Sequence, residues 1–231
     1  MAQVRHLAVI LDGNRRYAKK NNLAPFEGHK HGLKKVRELL VWSLQAHIKE
    51  LTLFAFSTEN FKRATTEVEY LFDLFRAYIQ DKENFDFIKK NDLQVHFIGK
   101  LSLLPTDIQT LMHDMMEKTE NHHGMRLNYA MAYGSRTEIV ECFKTLMRKV
   151  DQKELQISEI DEEIILSHLW LPSEPDLVIR TSGEFRLSNF LLYQSAYAEW
   201  FITAKLFPEL CHDDFLEALK SFENRERRYG R

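Results

Sequence analysis

The sequence lacks most of the features that would place it in a specialised class of protein. It has only two cysteines, Cys142 and Cys211, and no C-x-x-C spacing, which argues against a disulfide framework or a zinc site. With 8 Gly and 5 Pro it does not resemble a fibrous or low-complexity chain. Its early apolar run, residues 7–11, is too short for a signal-peptide core, and no run approaches the roughly 20 residues of a membrane-spanning helix. We therefore expect a globular cytoplasmic protein, which at most touches the inner face of a membrane.

A strong net charge and the usual nucleotide-binding motifs are also missing. Lys plus Arg total 32 against 34 acidic residues, a formal charge of -2, so no overall positive field draws the chain to nucleic acid. Neither G-x-x-x-x-G-K-[ST] nor G-x-G-x-x-G follows a predicted strand, which argues against an NTPase or a dinucleotide enzyme. Any binding site for an anion must therefore be local.

What the sequence does contain is an alternation of short apolar runs with helical periodicity. Six runs predict strands buried on both faces, at residues 7–11, 51–56, 93–98, 127–132, 176–179 and 200–203. Residues 66–90 predict one amphipathic helix, since Val68, Leu71, Phe72, Phe75 and Ile79 recur at steps of three and four. We expect a single α/β domain over residues 1–231, with a mostly parallel sheet of about six strands flanked by helices.

The residues that directly follow three of these runs are unusually polar. Asp12, Gly13, Asn14, Arg15 and Arg16 follow the first run, residues 57–63 follow the second, and residues 180–183 follow a later one. Ligands of open parallel sheets bind beyond the carboxyl ends of the strands, so these segments are expected to meet at one site. A glycine-containing turn followed by arginine suits a phosphate, because backbone N–H groups and guanidinium groups can both bind it.

Two basic clusters and two acids carry the predicted chemistry. Residues 15–37 contain eight Lys or Arg against the single acid Glu27, and Arg180 and Arg186 flank a glycine turn. Most such charges are solvated surface groups, and His29 near a turn is more often structural than functional. The pattern nevertheless favours two phosphate sites. Asp12 and Glu199 are the acids we would pair with Mg²⁺, although Asp12 could be a helix cap and Glu199 a surface acid.

The 16 Phe, 8 Tyr and 3 Trp are mostly core residues. An apolar tunnel beside the phosphate sites would nevertheless accept a long hydrocarbon diphosphate.

Several ordered motifs make the sequence similar to the cis-prenyltransferases, and above all to those of the undecaprenyl diphosphate synthase type. They cover nearly the whole chain: HLAVILDGNRRYA at 6–18, GHKHG at 28–32, LTLFAFSTENFKR at 51–63, DLVIRTSGE at 176–184, RLSNFLL at 186–192, YAE at 197–199 and RERRYG at 225–230. The resemblance implies condensation of isopentenyl diphosphate onto an allylic diphosphate such as farnesyl diphosphate, with new double bonds in cis and Mg²⁺ required. It also implies a homodimer.

The resemblance further implies a role for each matching residue. Asp12 would act in metal-assisted catalysis, with Glu199 helping to bind Mg²⁺. The allylic diphosphate would be held by Gly13, Asn14, Arg15, Arg16 and His29, and the isopentenyl diphosphate by Arg180, Arg186 and Ser188. A mobile segment over the site would carry Phe56, Ser57, Thr58, Asn60, Phe61, Arg63 and Glu67. From the residues themselves, Asn60 and Ser57 could only relay a proton, and the diphosphate is a candidate for the base. Arg228 and Gly230 would reach across the dimer interface.

Other interpretations remain open from the sequence. Arg15 stands where most bacterial members have Gly, and Tyr17 and Phe61 stand where many have Trp, which bears on the product more than on the reaction. Pro25 and Phe185 also depart from the family pattern. A product of different chain length, such as a dehydrodolichyl type, and a non-catalytic subunit of a prenyltransferase complex are the alternatives. A trans-prenyltransferase is disfavoured, because the acidic segment at Asp213 occurs once and the strands contradict an all-helical fold.

Overall fold

All six strands of the central sheet run parallel to their neighbours. The computed structural model describes residues 3–24 and 26–224. Within them the strands lie in the order β3-β4-β2-β1-β5-β6. Their bounds are β1 His6–Ile10, β2 Glu50–Ser57, β3 Gln94–Ile98, β4 Arg126–Tyr133, β5 Leu177–Arg180 and β6 Glu199–Ile202. The predicted α/β class and the six predicted strands are therefore confirmed.

Eight helices connect or follow the strands in the described residues. They are α1 Asn14–Lys20, α2 Glu27–Gln45, α3 Thr65–Gln80, α4 Lys82–Lys90, α5 Thr106–Thr119, α6 Ser135–Asp151, α7 Glu162–His168 and α8 His212–Glu223. None of these helices is long and apolar enough to cross a bilayer. The single helix predicted for residues 66–90 is wrong, because Asp81 adopts an extended conformation and its carboxylate accepts a hydrogen bond from the Glu83 N–H, which starts α4.

Both faces of the sheet are covered, one by helices and the other by the non-helical segments around residues 170–171 and 190–191, and this explains why the central strands are continuous apolar runs. In β1, Leu7 and Val9 face a large core formed with α2, α3, α5 and α8. Ala8 and Ile10 face a second core that contains Phe190 and Leu191. Because successive strand residues point to opposite faces, a strand covered on both sides must be apolar throughout.

The carboxyl end of β2 is irregular where it meets the predicted site. Its pairing with β4 shifts register between Phe54 and Phe56 and again between Phe56 and Ser57. Such a bulge redirects the side chains beside it. Here Ala55 is exposed and lines the cavity described below, while Phe56 is buried against Phe61 and Phe72.

Candidate active site

A cavity of about 1170 Å³ lies at the carboxyl ends of β1, β2 and β5 and extends between the sheet and helices α2 and α3. Its polar part has six cationic side chains and two carboxylates: Arg15, Arg16, Lys19, Arg63, Arg180 and Arg186, with Asp12 and Glu59. Its apolar part is lined by Leu33, Val36, Leu71, Phe72, Leu74, Phe75, Tyr78, Tyr129 and Met131. The cavity thus suits a ligand with a strongly anionic head and a long hydrocarbon tail.

Asp12 lies at the centre of the polar part, between two arginines. Its Oδ2 accepts a hydrogen bond from Arg180 Nη2 at 3.1 Å, and its Oδ1 lies 3.3 Å from Arg16 Nη2. It does not cap α1, because Gly13 occupies the cap position with a φ of 110°. A side chain at Gly13 would also collide with Ser182, whose Oγ would be 2.6 Å from the added Cβ. The turn therefore places the Asp12 carboxylate in the cavity wall.

Arg180 is buried and connects the two predicted phosphate sites. Besides its bond to Asp12, it donates to the Ser188 hydroxyl at 2.9 Å and to the backbone carbonyl of Arg186. Its Nε is buried without a hydrogen-bond partner in the described residues. Ser188 and Arg186 both line the cavity, so Arg180 fixes the loop that carries them.

Glu184 is a site residue for which the sequence suggested no role. Its Oε1 accepts from Arg16 at 3.1 Å, and its Oε2 accepts from Arg186 at 2.7 Å. It therefore bridges the arginines predicted to hold the two different diphosphates. The sequence did contain a signal for this role, because Glu184 lies between Arg180 and Arg186. A carboxylate at such a position can orient guanidinium groups.

Asn14 joins the first turn of α1 to α2. Its Nδ2 donates to the Leu11 carbonyl at 3.1 Å, and its Oδ1 is buried without a hydrogen-bond partner among the described residues. Gly28 and Gly32 pack against it so closely that an added Cβ would lie 1.9 Å and 2.3 Å from oxygens of Asn14. This packing explains both glycines of the GHKHG motif.

The segment after β2 forms a short 3-10 turn, Thr58–Lys62, at the edge of the cavity. The Asn60 side-chain oxygen accepts from the Ser57 N–H at 3.1 Å, which fixes the start of the turn. Ser57, Asn60 and Arg63 line the cavity. Phe56 also lines it, whereas Thr58, Phe61 and Glu67 are not among its lining residues.

Phe61 and Glu67 contact other residues of the site without lining the cavity. Phe61 packs its ring against the rings of Phe56 and Phe72. Glu67 is buried, accepts from Arg63 at 2.9 Å and lies 3.7 Å from Arg15. Glu67 thus holds two cationic side chains that the sequence assigned to different segments.

His29 lies in the cavity wall as a neutral imidazole at neutral pH. Burial, followed by the nearby positive charges of Arg63 and Arg15, lowers the pKa of His29 to about 4 against the opposing effect of Glu67. Its Nε2 is buried without a hydrogen-bond partner in the described residues. His29 can therefore donate or accept a hydrogen bond toward a ligand, and an anionic ligand would favour its protonated form.

Comparisons with known proteins agree with this geometry. Residues 10–230 match the family model described as "Putative undecaprenyl diphosphate synthase". The chain is a cis-prenyltransferase. It is 43% identical, over 98% of its length and 87% of the relative, to the geranylgeranyl-diphosphate-specific tritrans,polycis-undecaprenyl-diphosphate synthase of Pyrococcus abyssi. It is 44% identical, over 98% and 89%, to an isoprenyl transferase of Thermus thermophilus.

A solved structure supports the same assignment of the cis-prenyltransferase fold. The lavandulyl diphosphate synthase of Lavandula x intermedia, in complex with dimethylallyl diphosphate, aligns with a TM-score of 0.95. It is 34% identical, and the alignment covers 99% of both chains. Fold and family are therefore those expected from the sequence motifs.

Asp12 and Glu199, the two acids expected to bind Mg²⁺ together, lie apart within a single chain of this cis-prenyltransferase. Glu199 is the first residue of β6 and pairs with Leu177, which in turn pairs with Leu7. Glu199 is therefore level with Leu7, near the beginning of β1. The end of β1 at Ile10 is three residues further along the strand, about 10 Å away at a rise of about 3.3 Å per residue. Asp12 lies beyond that end. Strand register therefore separates the two acids expected to share Mg²⁺.

The residues of this enzyme that could hold a divalent cation are consequently few. Asp12 and Glu59 are the carboxylates among the cavity-lining residues. Exposed His113, Asp114 and Glu117 of α5 bring ligand atoms within 4.8 Å of one another, but they do not line the cavity. Asp12 is an anionic oxygen donor beside the cationic wall, so it fits a hard cation whose other ligands are phosphate oxygens and water.

Four further positions were singled out in the sequence. Arg228 and Gly230, expected to reach a partner subunit, lie outside the described residues, as does Pro25. Phe185, which departs from the family pattern, is 89% exposed beside Glu184 and does not line the cavity.

The lowered pKa of His29 gives a prediction for stability against pH. An unfolded chain takes up this proton near pH 6.5 and the folded enzyme only near pH 4, so stability falls as the pH decreases through that window. Burial also lowers the pKa of His6, which adds in the same direction. We expect His29 to contribute a loss of up to about 3 kcal/mol in the free energy of unfolding.

Urea denaturation at pH 7.5, 5.5 and 4.5 measures this loss. His29→Asn is the matched variant, because it keeps a polar side chain but removes the titrating group. Its stability should depend less steeply on pH than that of the parent. An unchanged slope would contradict the assignment to His29.

Proposed function

We propose that this cis-prenyltransferase condenses isopentenyl diphosphate units onto an allylic diphosphate to build a long-chain polyprenyl diphosphate, namely undecaprenyl diphosphate. The observation that carries the proposal is the two-part cavity. Its cationic end is suited to diphosphates. Its apolar end, which includes Leu33 and Tyr129 among its lining residues, is suited to a growing hydrocarbon chain. Burial of each methylene in such a cavity contributes about 0.8 kcal/mol, which would retain the chain between additions.

The two diphosphates are assigned to the two basic groups that Glu184 bridges. The allylic diphosphate binds Arg15, Arg16 and His29, with the glycine turn at Gly13 and Asn14 beneath it. Isopentenyl diphosphate binds Arg186 and Ser188, which buried Arg180 holds in place. This arrangement sets the alkene of one substrate against C1 of the other.

The residues then act on the charge that develops during the reaction. The bond between C1 and the diphosphate breaks, and negative charge grows on the leaving group while C1 gains cationic character. Arg15, Arg16 and protonatable His29 stabilise that negative charge. The alkene of isopentenyl diphosphate forms the new bond to C1, and C2 of the same substrate loses a proton to an oxygen of the released diphosphate, which gives the new double bond. Asn60 lies in the cavity wall as a group able to relay that proton.

Mg²⁺ is the cofactor in this proposal, and Asp12 is its protein ligand. When bound, Mg²⁺ neutralises diphosphate oxygens and makes the diphosphate a better leaving group. Arg180 and Arg16 hold the Asp12 carboxylate at that place.

The choice of starter substrate differs between the sequence motifs and a relative. Farnesyl diphosphate is the expectation from the sequence, whereas the Pyrococcus abyssi relative is geranylgeranyl-diphosphate specific. We propose geranylgeranyl diphosphate as the preferred starter. Purified protein is incubated with Mg²⁺, labelled isopentenyl diphosphate and either starter, and the dephosphorylated products are separated by length.

Each outcome of this assay has a defined meaning. A ladder ending near eleven isoprene units, formed faster from geranylgeranyl diphosphate, supports the whole proposal. A different end point keeps the reaction and changes the product. No product from any allylic starter would overturn the proposal in favour of a non-catalytic subunit.

The proposal includes a homodimer, and α6 offers an apolar face for it. Ile139, Val140, Phe143 and Met147 are 38–63% exposed and fall within about 100° of one another around the helix. A contiguous apolar stripe of this kind is unusual on a helix face that contacts only water. We expect Phe143→Glu to convert a dimer into a monomer.

Light scattering during gel filtration measures the molar mass of the parent protein and of the Phe143→Glu variant. Leu216→Glu is the control, because Leu216 is 46% exposed on α8, a helix that packs into a different core from α6, and it should leave the dimer intact. A monomeric parent, or a dimer that survives Phe143→Glu, would contradict this interface.

A further inference from the structure

Asn189 makes three hydrogen bonds that join its loop to two separate elements, helix α6 and the turn Thr58–Lys62. Its backbone carbonyl accepts from the Ser135 N–H at 2.8 Å, and its Oδ1 accepts from the Arg136 N–H at 2.9 Å, both at the start of α6. Its Nδ2 donates to Glu59 Oε1 at 3.0 Å. Because a backbone N–H occupies Oδ1, the orientation of the amide is determined, and its donor end must face Glu59.

The backbone around Asn189 is held in an unusual conformation. Ser188 and Asn189 have φ values of 51° and 62°, in the left-handed region that non-glycine residues rarely adopt. Such residues persist where the surroundings fix them, and here the contacts to α6 and to Arg180 do so. The position of Ser188 in the cavity therefore depends on the contacts of its neighbour.

Glu59 lies in the turn Thr58–Lys62, and it lines the cavity beside Asn189. One carboxylate oxygen accepts from Asn189, and the other accepts from the Thr58 hydroxyl at 3.2 Å. Partial burial acts to raise the pKa of Glu59, but hydrogen bonds led by that from Asn189 outweigh it and lower the pKa. The carboxylate is thus ionised, and its bond to Asn189 is charge-assisted.

We propose that Asn189 and Glu59 are positioning residues whose hydrogen bond holds the turn Thr58–Lys62 in register with the loop of residues 186–192. The bond joins the wall that carries Asn60 and Arg63 to the wall that carries Arg186 and Ser188. This inference rests on the proposed function, because it treats those four residues as substrate contacts. Neither positioning residue needs to touch a reacting atom.

A polarity swap tests the bond itself. In Asn189→Asp, the oxygen that faces Arg136 is kept, but a second carboxylate replaces the donor opposite Glu59. In the double variant Asn189→Asp/Glu59→Gln, the glutamine amide donates to the new carboxylate, and the pair keeps one negative charge. Glu59→Gln alone completes the cycle, since its amide oxygen can still accept from Asn189.

We expect Asn189→Asp to lower kcat/KM for isopentenyl diphosphate by about tenfold or more, with a raised KM. The double variant should return to within about threefold of the parent. Glu59→Gln should show a smaller defect than Asn189→Asp. A double variant as impaired as Asn189→Asp would overturn the proposal.

Amide hydrogen exchange of residues 57–63 in the substrate-free protein gives a readout that does not depend on turnover. Exchange there should be faster in Asn189→Asp and return to the parental rate in the double variant, while β1 and β5 keep their protection. If the parent makes no product, the proposed function fails, yet this exchange cycle still tests the bond. Unchanged exchange in all variants would refute the bond even in an active enzyme.

Discussion

Replacing Asp12 with asparagine is expected to reduce kcat/KM by about 10²–10³-fold or more while leaving the fold in place. Asp12 is the carboxylate that Arg180 and Arg16 hold at the centre of the polar cavity. Its replacement removes the proposed metal ligand and one negative charge, whereas the amide oxygen can still accept a hydrogen bond from Arg180. Alanine is a poorer choice, because it leaves buried Arg180 without its carboxylate, a change that typically costs about 3–5 kcal/mol.

Product formation from isopentenyl diphosphate over a range of Mg²⁺ concentrations measures the effect. Asp73→Asn is the control, since Asp73 is exposed on α3, pairs with Arg76 and does not line the cavity. It should retain parental activity. Thermal unfolding of both variants shows whether lost activity reflects lost structure. Parental turnover of a folded Asp12→Asn variant would refute the role of Asp12.

The sequence was sufficient to predict the central strands because they are buried on both faces, whereas the edge strand β6 is only half-buried and was predicted from its short apolar run. A run such as residues 7–11 has no polar face, and the structure covers it with helices on one side and with Leu171, Phe190 and Leu191 on the other. The break at Asp81 was missed because the apolar periodicity continues through it into α4. Asp81 followed by Glu83 was the available signal, as an aspartate that caps a helix carrying an acid in its first turn.

Charge pairing across long separations could not be predicted. Asp12 and Arg180 are 168 positions apart, and their contact depends on the pairing of β1 with β5. Motifs indicated that both residues belong to the site, but not that they bind each other. The separation of Glu199 from Asp12 has the same origin, because the register of β6 on β5 decides it.

The apolar end of the cavity closes on a pair of tyrosines. Tyr78 of α3 and Tyr129 of β4 share a hydrogen bond of 3.0 Å between their hydroxyls, and burial raises the pKa of both. Both residues, with Phe75, also line a second, very small cavity that continues toward Ile88 and Val95. These three side chains are therefore the wall between the main cavity and the space beneath α4 and β3.

Removing one side of this wall is expected to lengthen the product. Tyr78→Ala deletes about seven heavy atoms, more than the roughly five carbons of an isoprene unit, and joins the two cavities. The product ladder should then end at least one unit later than in the parent. Tyr78→Phe is the matched control, because it keeps the ring and loses only the hydroxyl, and it should leave the end point unchanged.

A filling substitution should have the opposite effect, because Leu74 lines the same apolar section. Leu74→Trp narrows the path of the chain, so its ladder should stop earlier than that of the parent. The paired comparison separates control of length from loss of stability, since an unstable enzyme makes less product without shifting the end point in opposite directions. Identical end points in Tyr78→Ala, Leu74→Trp and the parent would show that the chain does not extend into this part of the cavity.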